Sequence, residues 1–283
     1  MKFCNAGAEI YVPDGLEDVL ALDRVTHLAI GAHQDDIEML AYHGILQCFD
    51  SDNEWFAGVI CTNGEGSPRS GPYAGYSDED MQKLRRQEQR MAAGIGRYAA
   101  VIQLGYPSSA VKDPKNKLLT DDLGEIFSVC RPVVVYTHNP ADKHDTHVAV
   151  VAKVIRALRC MPPAKRPKKV FGCEIWRDLD WVLDEHKVAL DVSGRENLEA
   201  ALLGLYDSQI AGGKRYDLAS MGRRRANATF FQSHALDKAS AVTYALDLTP
   251  LIIDDGLSLN EYLAELIDSL VRDISAKLEP FGL

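Results

Sequence analysis

Short apolar runs alternate with longer amphipathic stretches along the first 160 residues of the chain. The run from His27 to Ala32 ends in small residues, which is typical of a buried strand in a parallel sheet. Comparable runs predict strands over residues 55–62, 101–104 and 133–137. Helices are predicted between the runs, from about Glu38 to Phe49, from Asp78 to Tyr98, from Thr120 to Val129 and from near Asp145 to Leu158. This alternation predicts an α/β fold, with a Rossmann-like, mostly parallel sheet and helices on both faces.

The second half of the chain is less regular. Residues 162–169 hold four basic side chains, which is typical of a solvated connector. Further strands are predicted over residues 169–176 and 187–192, and further helices over 196–210 and 260–278. The segment that begins at Ala211 has no clear periodicity. A length of 283 residues is compatible with one extended domain, 1–283, that carries a C-terminal elaboration.

Composition indicates which partners and which cellular compartment are to be expected. The formal net charge is −10 and the sequence pI is about 5.3, so a surface for nucleic acid, which is usually basic, is not expected. The six cysteines are scattered without a C-x-x-C pair, which is typical of buried thiols in a reducing compartment. No secretory signal is recognised, and no segment reaches the roughly 18 uncharged apolar residues of a membrane span. A cytoplasmic protein without a membrane span is therefore predicted.

Two short clusters of titratable residues lie near the predicted ends of strands. Ala32-His33-Gln34-Asp35-Asp36 follows the first strand, and His144-Asp145-Thr146-His147 lies beyond the strand over residues 133–137. In a parallel sheet, ligands bind outside the carboxyl ends of the strands, so the fold is expected to bring both clusters together. In the first cluster, two residues three apart could converge on one ion and leave the middle carboxylate free. In the second, the two histidines share one face of a helix.

These residue types are the parts of a hydrolytic metal site. Two imidazoles and one carboxylate are typical of catalytic zinc, whereas structural zinc is usually enclosed by four ligands rich in cysteine. Asp35 could accept the proton of a water whose pKa falls from about 15.7 to about 7 at such an ion. His144 could then donate a hydrogen bond to the developing oxyanion. Asp145, or Asp142 in the preceding loop, could orient an imidazole.

The pattern Ala-His-x-Asp-Asp after a strand, followed by His-x-x-His-x-Ala at the start of a helix, resembles the LmbE-like, PIG-L family of zinc-dependent N-acetylglucosaminyl deacetylases. Thr62-Asn63-Gly64-Glu65-Gly66 resembles the family's Gly-Glu loop, and the stretch from Arg85 to Ala93 resembles its Arg-x-x-Glu helix. The similarity extends over about residues 25–215, so residues 216–283 form the predicted elaboration.

The resemblance implies a role for each residue of the two clusters. It assigns the metal to His33, Asp36 and His147, the general base to Asp35 and the oxyanion-stabilising acid to His144. The family also holds substrate with an arginine from the loop after the second strand, for which Arg69 is the nearest candidate. The chain departs from the family pattern at Gln34, where proline is usual, at Glu38, and at Asp145-Thr146, where Pro-Asp is usual.

Each of these residues also has a purely structural interpretation, because a single histidine is more often a core or surface residue than a ligand. The joint occurrence of two spaced clusters favours the metal site. Arg85 and Glu88 are interpreted as structural polar contacts, and Arg69 as either a solvated arginine or a substrate clamp. The run from Arg223 to Arg225 is interpreted as a solvated face. Five further histidines are not assigned as ligands, although the third directly follows the key strand: His27, His43, His138, His186 and His234.

The sequence thus predicts a zinc-dependent N-deacetylase that acts on a small N-acetylated amino sugar or glycoconjugate. Fe²⁺ could replace Zn²⁺, because both ions accept histidine and carboxylate ligands. Two alternatives stay open: a metal-dependent hydrolase of another amide or of a phosphoester, and a non-catalytic module that binds a sugar or a nucleotide. The resemblance also makes a homo-oligomer an expected state.

Overall fold

Eight strands form a single sheet in this computed structural model, which describes residues 1–282. The strands are β1 (Glu9–Tyr11), β2 (His27–Gly31), β3 (Phe56–Thr62), β4 (Ala100–Tyr106), β5 (Val134–His138), β6 (Lys169–Cys173), β7 (Lys187–Asp191) and β8 (Val242–Asp247). They lie in the order β1-β4-β3-β2-β5-β6-β8-β7. The five from β4 to β6 are parallel, while β1 and β8 run antiparallel to their neighbours. The predicted α/β fold with a mostly parallel sheet is confirmed.

Twelve α-helices accompany the sheet within the described residues. They are α1 (Asp18–Asp23), α2 (Asp36–Leu40), α3 (Tyr42–Phe49), α4 (Asp78–Ile95), α5 (Ser108–Lys112), α6 (Leu118–Cys130), α7 (Asp145–Cys160), α8 (Glu196–Gly204), α9 (Asp207–Ile210), α10 (Tyr216–Phe230), α11 (Pro250–Ile253) and α12 (Leu259–Leu278). Among residues 1–282, no helix combines the length and the apolar character that crossing a bilayer would require.

The helices cover both faces of the sheet, because side chains of each central strand alternate between two cores. In β2, Leu28 and Ile30 enter the core that α6 and α7 cover. Ala29, between them, enters the core formed with α2, α3, α4 and α8. All five residues of β2 are buried, which explains why its sequence is continuously apolar rather than alternating.

Two predicted helices are interrupted where the sequence suggested continuity, and the one over residues 196–210 forms α8 and α9. The stretch from Glu38 to Phe49 forms two helices, α2 and α3, with a break at Ala41. The guanidinium of Arg224 donates to the carbonyl oxygens of Glu38 (2.9 Å) and Met39 (2.8 Å) at the end of α2. The prediction of a solvated face is therefore wrong for Arg224, which is buried and also pairs with Glu199 at 2.6 Å.

The last part of the chain completes the central sheet. The segment after Ala211, which had no clear periodicity, contains α10, β8 and α11. Strand β8 inserts between β6 and β7, and β7 pairs with no other strand of the described sheet.

The chain order of the strands reverses between β2 and β5, which are neighbours in the sheet. In doubly wound folds a crevice forms at such a reversal, outside the carboxyl ends of the two strands. The first cluster follows β2 directly, and the second caps and begins α7, the helix that follows β5. The topology therefore brings together the two parts of the chain that carry the chemistry.

Candidate metal centre and pocket

A sharp turn after β2 forms the first half of the site. A Cβ atom at Gly31 would lie 2.9 Å from the Cβ of Asp36, so only glycine allows this close approach. The backbone N–H of His33 donates to Oδ2 of Asp36 at 2.6 Å. Asp35, between them, adopts a left-handed backbone conformation with φ of 92°. The turn thus directs adjacent carboxylates to different partners.

Three donor atoms from the two clusters lie close together. Nδ1 of His33 is 3.3 Å from Oδ2 of Asp36 and 3.3 Å from Nε2 of His147, which is 3.4 Å from Oδ1 of Asp36. Tetrahedral ligands at 2.0–2.1 Å from a zinc ion lie about 3.3 Å from one another. The spacing of these three atoms therefore fits one zinc-sized ion.

The charges around Asp36 favour its ionised form. Burial acts in the opposite direction, but the imidazoles of His147 and His138 lower the pKa of Asp36 well below its ordinary value. The pKa of His147 is raised because its contacts with Asp36 and Asp142 outweigh the effect of burial. A buried anionic carboxylate facing imidazoles is an environment suited to a cation.

Asp142 orients the ring of His147. Its Oδ2 lies 3.4 Å from Nδ1 of His147, so Nδ1 donates and the lone pair of Nε2 stays free for an ion. Asp145, the carboxylate predicted for this role, is exposed in the first turn of α7. The sequence left Asp145 and Asp142 open for this role, and the contact with His147 favours Asp142, which lies in the loop between β5 and α7.

His138 is a buried neighbour of the site. Its ring stacks on that of His147 with 3.8 Å between centroids, and its Nε2 accepts a hydrogen bond from the backbone N–H of Ala32 at 2.9 Å. Burial lowers the pKa of His138 to about 4. His138, Asp142 and His147 form a second group of close donor atoms, but Nε2 of His138 and Oδ2 of Asp142 already accept hydrogen bonds within the protein. His138 therefore links the ends of β2 and β5 rather than offering a ligand.

Asp35 lies beside the three donors and is held separately from them. Its Oδ2 accepts from Arg85 at 3.1 Å, and its backbone N–H donates to Oε1 of Gln89 at 3.3 Å. Burial, reinforced by the charge of Asp36, raises the pKa of Asp35 to about 7 despite the adjacent guanidinium. A carboxylate with such a pKa can accept and return a proton near neutrality.

A buried polar network on α4 supports Asp35. The guanidinium of Arg85 also lies 3.5 Å from Oε2 of Glu88, which in turn accepts from the hydroxyl of Ser208 at 2.7 Å. Gln89, one turn further on, donates to Glu38 at 2.9 Å. Arg85 and Glu88, which were interpreted from the sequence as structural contacts, therefore connect Asp35 to Ser208 in α9.

His144 is the N-cap of α7 and lies against His147, with 4.6 Å between ring centroids. Its Nδ1 accepts from the backbone N–H of Thr146 at 3.3 Å. Burial, together with the neighbouring His147 and His33, lowers the pKa of His144 to about 4. The ring is therefore neutral at pH 7 and carries its proton on Nε2, which makes that atom a hydrogen-bond donor.

The sequence matches the family described as PIG-L, GlcNAc-PI de-N-acetylase, over residues 28–158, which include both clusters. The matched residues make up a little under half of the chain. No curated protein matches the sequence significantly.

Solved structures share the fold of this chain. TT1542 from Thermus thermophilus, described as a conserved protein, has a TM-score of 0.60 at 18% identity, over 83% of this chain and 99% of that chain. GalB, the 4-carboxy-2-hydroxymuconate hydratase from Pseudomonas putida, has a TM-score of 0.57 at 15% identity, over 79% and 95%. N,N'-diacetylchitobiose deacetylase from Pyrococcus horikoshii has a TM-score of 0.55 at 14% identity, over 77% and 83%. At these identities the likeness concerns the fold.

An open pocket of about 420 Å³ lies at the donor atoms of the two clusters. His33, Asp35, Asp36 and His144 line its floor. Four lining residues come from beyond the matched region: Trp176, Gln209, Lys214 and Tyr216. None of these four residues was predicted from the sequence, because no motif marks them and only the fold brings them to the pocket.

Arg69, predicted to bind substrate, does not line this pocket. Its guanidinium donates to the backbone carbonyl of Glu65 at 2.9 Å and pairs with Asp78 at the start of α4. The neighbouring Ser67 and Pro68 do line the pocket. The loop thus reaches the cavity through these two residues, while in this conformation Arg69 forms an ion pair outside it.

Proposed function

We propose that the protein is a metal-dependent hydrolase that removes the acetyl group from an N-acetylglucosamine-type sugar or glycoconjugate. The observation that carries the proposal is the convergence of three ion-binding atoms, flanked by a carboxylate and by a neutral imidazole donor. The family description and the name of the chitobiose deacetylase refer to the same chemistry.

The three donors fit zinc, and Fe²⁺ accepts the same ligand types. His33, Asp36 and His147 would hold the ion, with the ring of His147 fixed by Asp142. When bound, such an ion polarises a carbonyl group and lowers the pKa of water.

The residues around the ion positions would supply the proton transfers. Asp35 accepts a proton from the attacking water, and Arg85 holds its carboxylate in place. Nε2–H of His144 donates to the oxygen of the amide carbonyl as negative charge develops there. Asp35 then returns the proton to the amine nitrogen as the C–N bond breaks, which releases acetate and a free amine.

The arrangement favours hydrolysis over the alternatives. A binding module needs neither a held base nor an oxyanion donor, yet Asp35 and His144 both line the pocket. Because the chain resembles a hydratase as closely as a deacetylase in fold, the fold does not separate these two reactions.

The test is acetate release by protein loaded with zinc or Fe²⁺, measured on a panel of N-acetylhexosamines and their conjugates. Parallel panels contain other amides, phosphoesters and an unsaturated dicarboxylate for water addition. We expect acetate from at least one N-acetylhexosamine, and loss of the reaction after chelation. Turnover confined to another panel would replace the proposed reaction, and sugar binding without turnover would favour the binding module.

A further inference from the structure

We propose that the pocket selects an amino sugar bearing an anionic substituent, a phosphate or a carboxylate, through Lys112 and Lys214. The two lysines are called the cationic wall below. The sugar part of this inference rests on the proposed function, whereas the recognition of an anion rests on the contacts of the wall itself.

A defined turn presents Lys214 to the pocket. Gly213 has φ of +98°, a conformation that side chains other than glycine rarely adopt. The backbone N–H of Lys214 donates to the carbonyl of Gln209, and its carbonyl accepts from the N–H of Tyr216, both at 2.8 Å. The hydroxyl of Ser70 donates to the carbonyl of Gly212 at 2.9 Å, which ties the turn to the opposite loop.

The ammonium of Lys214 is held over an aromatic ring near the catalytic positions. Its Nζ lies 5.2 Å from the ring centroid of Trp176, within the range of a cation–π interaction. The ring of His144 lies 6.5 Å from the same tryptophan. One aromatic side chain thus separates the cation from the oxyanion donor, a distance that a substituted monosaccharide can bridge.

Lys112 adds a second cation from a different element. It is the last residue of α5, after β4, and lines the same pocket. Among residues 1–282, neither lysine of the cationic wall has a carboxylate oxygen within 4 Å of its ammonium group. The acids on the pocket floor, by contrast, are engaged: Asp35 with Arg85, and Asp36 with three imidazoles.

The two lysines of the cationic wall belong to a chain that is acidic as a whole. The protein has ten more acidic than basic side chains, so unpaired ammonium groups facing one cavity are not a consequence of a generally basic surface. Neither ammonium group pairs with a carboxylate of the protein, so both can attract an anion that lies within about a Debye length. A phosphate or carboxylate on the substrate has the complementary charge.

The experiment compares kcat and KM for a neutral sugar, N-acetylglucosamine, with three anionic ones. N-acetylglucosamine 1-phosphate and 6-phosphate test the phosphate source, and N-acetylmuramic acid tests the carboxylate. We expect at least one anionic sugar to have a kcat/KM about tenfold or more above the neutral sugar, since one charge-assisted hydrogen bond has an effect of this size. Either Lys214→Met or Lys112→Met should lower kcat/KM for that anionic sugar about tenfold relative to the neutral sugar, mainly by raising KM.

The matched control is Lys168→Met, which removes an exposed lysine just before β6, at the opposite end of the sheet. It should leave kcat and KM unchanged for all four substrates. Equal kinetics for neutral and anionic sugars, or the same loss on both classes in the lysine variants, would overturn the inference while the deacetylase proposal stands.

A binding measurement separates the two proposals. Calorimetric titration of the metal-loaded Asp35→Asn protein with each anionic sugar reports recognition without turnover. About tenfold weaker binding in the lysine variants supports the inference even if no substrate releases acetate, in which case only the proposed function fails. Binding that is unaffected by both lysine substitutions, or no binding of any anionic sugar, overturns the inference.

Discussion

Nδ1 of His33 and Nε2 of His147 lie 3.3 Å apart, although 114 residues separate them in the chain. Both atoms can bind a metal ion, and their separation is that of two ligands of one zinc-sized ion. The carboxylate of Asp36 contacts both rings and provides the matching negative charge. This relationship joins the two halves of the site.

Asp35→Asn and His147→Ala should separate catalysis from metal binding. Asparagine tolerates the left-handed backbone of Asp35 and keeps a partner for Arg85, so this variant should fold and retain about one metal ion per chain. It should lose at least about a hundredfold in kcat, because it cannot accept a proton. His147→Ala should lose metal and activity together. Elemental analysis with acetate-release kinetics measures both, and equal metal loss in the two variants would contradict the assigned roles.

Asp142→Asn should weaken metal binding by about 10- to 100-fold, since it removes the carboxylate that orients the ring of His147. Asp145→Asn is the matched control, three residues further on and exposed, and it should leave metal affinity unchanged. Competition with a chromophoric chelator gives both affinities. A larger effect from Asp145 than from Asp142 would restore the assignment made from the sequence.

Arg224→Met should destabilise the protein by about 3–5 kcal/mol, because it removes the buried guanidinium that lies 2.6 Å from the buried carboxylate of Glu199, and only the longer contact with Arg225, at 3.8 Å, remains. It also removes the donors to the carbonyl oxygens at the end of α2. Arg225→Met provides the comparison: this side chain is 43% exposed and lies further from Glu199, at 3.8 Å, so it should contribute within about 0.5 kcal/mol. Urea unfolding of the metal-free proteins measures the two free energies, and similar values would show that Arg224 is not a structural clamp.

His43 should make stability depend on pH. Burial, aided by the nearby His27 and opposed by Asp191, lowers its pKa to about 4 in the folded protein. Below pH 6.5 the unfolded chain binds a proton that the folded protein does not, so stability falls as the pH decreases towards 4. Its contribution at pH 5 is at most about 2 kcal/mol. Between pH 7.5 and pH 5, the free energy of unfolding measured by denaturation should decrease less for His43→Gln than for the wild type. Equal decreases in the two proteins would contradict the lowered pKa of His43.

The fold was predictable where burial imposes a simple pattern. Strands β2 and β5 are buried and correspond to apolar runs, and the helix predicted from Asp78 is present as α4. The break at Ala41 was not predictable, because it depends on an arginine 183 positions further along the chain that reaches the end of α2.

The candidate site was predictable in its centre but not in its walls. Local spacing brings His33 and Asp36 together within one turn, and the reversal of strand order brings His147 to them. Trp176 and Lys214 belong to loops whose position depends on tertiary packing alone. The position of Arg69 outside the pocket was equally unpredictable, because its ion pair with Asp78 depends on the side-chain conformation of a loop rich in glycine and proline.

The insertion of β8 between β6 and β7 affects how the chain can assemble. During synthesis β7 emerges first but has no strand to join until residues 242–247 leave the ribosome, and the outer edge of β6 stays open for the same interval. Nascent chains halted within this window would therefore expose two unpaired strand edges, each a template for aggregation.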